Sequence, residues 1–155
     1  MTRIIASLAE VSDQYEVLFC DLWGCVHDGV RAFPAAIAAL RGPWAPMEAM
    51  RAAFEERRGI IIDGLNAIDG IRCGVPEGAF YAFANVQQLI GKQAAGKTLE
   101  NDIELAGYLL EEARCAVVPG TAFGAPGFVR ISYAASNEMI REGLSRIGEA
   151  VGKLG

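Results

Sequence analysis

The chain has 155 residues, of which 52% are hydrophobic, and a formal net charge of −5. That length and apolar content suit one domain whose core needs no disulfide or metal staples. The acidic balance, with 11 arginines to 3 lysines, argues against nucleic acid and anionic membranes as partners, because both require clustered positive charge.

Four cysteines, Cys20, Cys25, Cys73 and Cys115, form no C-x-x-C pair, and His27 is the one histidine, so structural zinc spacing is absent. They read as reduced, mostly buried thiols of a cytoplasmic protein. The opening MTRIIASLAEVSDQ lacks the length and the small-residue cleavage site of a signal peptide, and no apolar run approaches bilayer length.

In chain order, residues 3–10 carry a weak helical pattern, and residues 17–20 (VLFC) read as a buried strand ending at Asp21. Gly24 and Gly29 mark a loop. Pro34 suits the first turn of a helix through Leu40, and Gly42-Pro43-Trp44-Ala45-Pro46 breaks the chain at the predicted boundary between 1–45 and 46–155. Beyond it, Met50, Phe54, Ile61, Leu65 and Ile68 form one stripe of a long amphipathic helix that Asp69-Gly70 should end. Short strands are expected around 71–73 and 79–83, on either side of the turn Pro76-Glu77-Gly78. A helix with Ile103, Ala106, Leu110 and Ala113 on one face comes next, then a strand at 115–118 closed by Pro119-Gly120. A last strand at 128–133 leads into a helix capped by Ser136 or Asn137, whose face is Ile140, Leu144, Ile147 and Val151. The alternation predicts an α/β chain of the α+β, two-layer kind, with a small mixed sheet covered by helices, folded as one compact unit.

The stretch 91–98, GKQAAGKT, satisfies the phosphate-loop pattern G-x-x-x-x-G-K-[ST]. A working phosphate loop leaves a strand directly, and its Lys-Thr opens a helix whose N-terminus faces the phosphate. Here residues 86–90 intervene after the strand, and Asn101 or Asp102 is the better helix cap, which leaves Thr98 outside the helix. No aspartate ends the strand at 115–118, where a metal-holding one is expected. The stretch is therefore expected to be a flexible loop, with nucleotide binding as a minor alternative.

Several stretches in order, namely FEERR (54–58), DGLN (63–66), PEGAFY (76–81), LLEEA (109–113), AVVPG (116–120) with Phe123-Gly124, and RISYA (130–134), carry a family resemblance. Residues 46–153 resemble the C-terminal small domain of class I pyridoxal-phosphate aminotransferases of the aspartate aminotransferase type. The resemblance implies an aminotransferase-like small-domain fold, and places at Arg130 the arginine that grips a substrate's α-carboxylate. A planar guanidinium suits that task, since it pairs bidentately and stays charged at any working pH. In such enzymes a large domain supplies the lysine that bonds the cofactor and the aspartate that holds its pyridine nitrogen. Lys92, Lys97 and Lys153 match no such lysine motif. No bound cofactor is expected for this chain alone.

The segment 17–29, VLFCDLWGCVHDG, is similar to the first motif of haloacid-dehalogenase-type hydrolases, so that residues 1–41 resemble a different family and the chain reads as a chimera with its seam at 42–46. The resemblance makes Asp21 a candidate phosphatase-like nucleophile and Mg²⁺ ligand. The second carboxylate of that motif is replaced by Trp23, and the later motifs have no counterpart after Leu40. Three readings follow. One is an incomplete aminotransferase-like domain with a carboxylate-binding Arg130; another is an interaction protein whose apolar surface supports a homo-oligomer; the third is a Mg²⁺-dependent phosphatase remnant.

Overall fold

The structure, a computed structural model, describes residues 45–155 together with Pro34, Ile37 and residues 41–43. The chain divides into two units, Met1–Met47 and Glu48–Gly155, and the second carries the architecture given below.

Helix α1 spans Ala45–Asn66. Its second half enters the core through Ile61, Ile62 and Leu65, whereas Met50 is half exposed and Phe54 packs against the core's edge. The expected stripe is thus followed over its lower turns. The helix stops at Asn66, ahead of Asp69-Gly70, because the Asn66 amide turns to β1 (Arg72–Cys73). Its Nδ2 donates to the Cys73 carbonyl and its Oδ1 accepts from the Cys73 N–H, both at 2.9 Å.

Strand β2 runs Tyr81–Asn85, two residues beyond its expected position. Ala79 lies at φ +61°, outside the extended region, and its carbonyl accepts from the Tyr133 hydroxyl at 2.9 Å. A 3₁₀ turn at Gln87–Leu89 leads to a hairpin of β3 (Gln93–Ala94) and β4 (Lys97–Thr98). The expected loop is therefore ordered as two short strands. Its turn residues Ala95 and Gly96 have φ of +50° and +84°, the mirror-image geometry whose twist matches paired strands.

Helix α2 spans Asp102–Glu112, with Asn101 as its cap accepting from the Ile103 and Glu104 N–H groups. Leu105, Ala106 and Leu109 are buried, while Ile103 and Leu110 are exposed by more than half. Of the expected face, Ala106 and Ala113 are buried, while Ile103 and Leu110 give way to Leu105 and Leu109. Both faces of this helix are apolar, and packing against the Leu65 and Leu144 core chooses between them. Tyr108 donates to the Ala150 carbonyl at 2.7 Å, fastening α2 to the last helix.

Arg114, at φ +53°, turns the chain out of α2, so the expected strand at 115–118 shrinks to β5, Val118–Pro119. A 3₁₀ turn, Gly120–Phe123, and then β6, Phe128–Ser132, follow. Helix α3, Asn137–Gly152, is capped by Ser136 and buries Ile140, Leu144, Ile147 and Val151, the four residues of its expected face.

The sheet has the order β1-β2-β6-β5, with every described ladder antiparallel. Alternation sends Ala82, Ala84 and Val129 into a core shared by all three helices, which gives a two-layer α/β domain. The other sheet face carries Tyr81, Phe83, Phe128 and Arg130, none of them fully buried. No described helix is long and apolar enough to cross a membrane.

Candidate carboxylate-binding site

Arg130 sits at the centre of β6, with Phe83 of β2 and Val118 of β5 as its cross-strand partners. Its guanidinium carbon lies 4.4 Å from the Tyr81 ring centroid and 4.4 Å from that of Phe123. Two rings thus contact one cation. The ion pairs among the described residues use Arg51, Arg58, Arg146, Lys97 and Lys153, and leave Arg130 without an acidic partner there. An aromatic floor continues beside it: Phe83 stacks on Phe128 at 5.2 Å and meets Phe123 edge-on at 6.4 Å.

The Phe123 wall has its own foundation. Asp102, at the start of α2, is 1% exposed, and its carboxylate accepts from the Thr121 N–H and hydroxyl, each at 2.7 Å. Burial pushes the Asp102 carboxyl up, but the N–H and hydroxyl of Thr121, with the N–H groups of Asp102 and Gly127, together hold it below the usual carboxylate range. Gly120 opens the same turn and Gly124 closes it at φ +72°, its N–H donating to the Gly120 and Thr121 carbonyls. A buried anion in α2 therefore holds the turn that carries Phe123.

The GKQAAGKT segment is placed elsewhere, against α2. The Gly91 N–H donates to Leu99 O, Leu99 N–H to Lys92 O and Gln93 N–H to Gly155 O, so these groups are directed at carbonyls. Lys97 pairs with Glu104 at 3.0 Å. Glu104 is held below its usual range first by the Glu100 N–H and then by Lys97. Asn101 caps the helix as expected, and Thr98 lies in β4 rather than at its N-terminus. Cys73 and Cys115 are free thiols whose pKa burial raises, which disfavours the reactive thiolate. Among the described residues no group of three or more His, Cys, Asp or Glu is placed to hold a metal ion. Asp21, His27, Cys20 and Cys25, with the rest of the dehalogenase-like motif, lie outside the described residues.

The flanking rings had a signal in the sequence that went unassigned. Residues two apart on a strand share a face, so pairing β2 with β6 places Tyr81 and Phe83 on the Arg130 face. Phe123 gave no such signal, because a non-repeating turn carries it.

The family model described as aminotransferase class I and II matches residues 31–147, and the chain belongs to that family. The match begins ahead of the expected seam at 42–46. An aspartate aminotransferase of Streptomyces avermitilis is 50% identical over 112 residues, covering 72% of this chain and 28% of the relative. The crystal structure of the aspartate aminotransferase from Rhizobium meliloti superposes with a TM-score of 0.75 at 45% identity, over 78% of this chain and 30% of that one. An alanine aminotransferase from Pyrococcus furiosus does so with a TM-score of 0.66 at 30% identity, over 76% and 28%. The chain thus spans under a third of the length of the relatives it matches.

Full-length members of the family use pyridoxal phosphate, whose chemistry needs a lysine to bond its aldehyde. The residues present do not fit that requirement. Of the chain's three lysines, Lys97 and Lys153 are ion-paired to Glu104 and Glu112, and Lys92 lies at the entry to the hairpin.

Proposed function

We propose that this chain is an aminotransferase-type small domain whose retained chemical capacity is to grip a carboxylate with Arg130, without transaminating by itself. One observation carries the reading: a guanidinium lies against two rings with no acidic partner among the described residues. The relatives named above are aspartate and alanine aminotransferases, and these two amino acids share the α-carboxylate and differ beyond it. Arg130 reads the shared part. A planar fork of N–H donors meets a carboxylate through two parallel bonds, which lysine cannot reproduce.

Titration of the full chain with succinate tests this reading, followed by heteronuclear NMR. Saturable binding is expected, lost in Arg130→Ala and weakened about tenfold in Arg130→Lys, in keeping with the loss of one charge-assisted hydrogen bond. Unchanged binding in Arg130→Ala would sink the assignment. Enzyme-like conversion of aspartate and 2-oxoglutarate with added pyridoxal phosphate would sink the claim of incompleteness.

A second reading, self-association, is favoured by the exposed apolar residues around the same face: Phe83, Val118 and Phe123 are 37–48% exposed. Contiguous patches of that kind mark interfaces. Sedimentation should then show a concentration-dependent dimer that Phe83→Glu abolishes. A monomer at every concentration rejects it.

A further inference from the structure

We infer that Tyr81 and Phe123 are positioning residues that hold the Arg130 guanidinium ready for a planar carboxylate; this rests on the carboxylate-binding reading above. An arginine side chain has many rotamers, and ordering it on binding weakens affinity. The usual restraint is a neighbouring carboxylate, which occupies the donors that a ligand needs. Here the restraint comes from two rings, each with its centroid 4.4 Å from the guanidinium carbon. Aromatic faces attract the cation through its own faces and leave the N–H edges free.

The two walls come from separate elements. Tyr81 begins β2, where its register partner is Ser132, so it stands diagonal to Arg130 along the ladder. Phe123 ends the turn Gly120–Phe123, which Asp102 fixes through Thr121. With two rings against the guanidinium, an anion meets it along its N–H edges. That geometry leaves the N–H edges free to pair bidentately with a carboxylate.

The test uses the full chain with ¹³C,¹⁵N-labelled arginine. In the wild type the Arg130 side-chain resonances should lie upfield of the other arginines through ring currents. Tyr81→Leu and Phe123→Leu should each bind succinate roughly tenfold more weakly, the scale of one desolvated cation–π contact. Tyr81→Phe and Phe123→Tyr should restore both affinity and resonance positions, which a merely structural role would not require. Loss of binding in Arg130→Ala with wild-type binding in both leucine variants overturns the positioning role alone. Absence of succinate binding to the wild type overturns the carboxylate reading and this extension together. Should a leucine variant fail to fold, the wild-type spectrum decides, since Arg130 resonances without upfield displacement overturn the clamp.

Discussion

Asp102→Ala is expected to lower the unfolding free energy by about 3 kcal/mol, the scale of two hydrogen bonds to a buried carboxylate. The side chain is 1% exposed and takes both the N–H and the hydroxyl of Thr121 at 2.7 Å, so its removal strands two donors. Urea denaturation followed by circular dichroism measures the change. The pH dependence has a definite sign. Because the folded carboxyl titrates below its ordinary value, the stabilisation is fully present above the unfolded value of about 3.9. It is lost as the pH falls from there through the depressed folded value. Asp102→Asn should therefore show a flatter decline in stability below pH 4 than the wild type. Parallel declines would mean that the carboxylate contributes nothing through its charge.

The second large effect belongs to Gly120→Ala. A Cβ at this position would collide with the Ala125 carbonyl oxygen and lie 2.8 Å from both Cβ and O of Phe128, with backbone atoms on two sides and little room to yield. Overpacking of this kind costs about 1–3 kcal/mol or more. A domain of this size should melt roughly 10 °C lower. The effect extends to the site, because the turn that must shift carries Phe123. Succinate affinity should fall together with the melting temperature, whereas a core change remote from the turn should move the melting temperature alone. Calorimetry and a binding titration on the same samples check both.

How far these features could be read beforehand depends on what fixes each one. Helix α3 was legible because a Ser136 cap and four apolar residues at helical spacing point to one answer. The Asn101 cap was legible for the same reason. Helix α2 was legible as a helix but only partly in its face, since Ile103 and Leu110 are as apolar as Leu105 and Leu109, and only the packed neighbours decide. The displacement of β2 and the shortening of β5 follow from Ala79 and Arg114 at positive φ, a conformation that neither residue type advertises. The hairpin at 93–98 hid behind an Ala-Gly turn in place of the usual Asn-Gly signal. For the candidate site, the motif around 130–134 pointed to Arg130, but not to its surroundings. Tyr81 was recoverable from strand alternation. Phe123 depends on a turn built by Asp102, Gly120 and Gly124, whose joint effect no local pattern announces.

The bond between Asn66 and Cys73 also governs how this sheet can meet other chains. Strand β1 is an edge, and the N–H and carbonyl that Cys73 would offer to an added strand are both taken by the Asn66 amide. At the opposite edge β5 is two residues long and includes Pro119, which has no N–H to give. Among the described residues both borders of this sheet are thereby blunted against templated strand addition, the route by which unprotected sheets polymerise into fibrils. Asn66→Ala would reopen one of them, freeing the Cys73 N–H and carbonyl so that the sheet can grow from its rim.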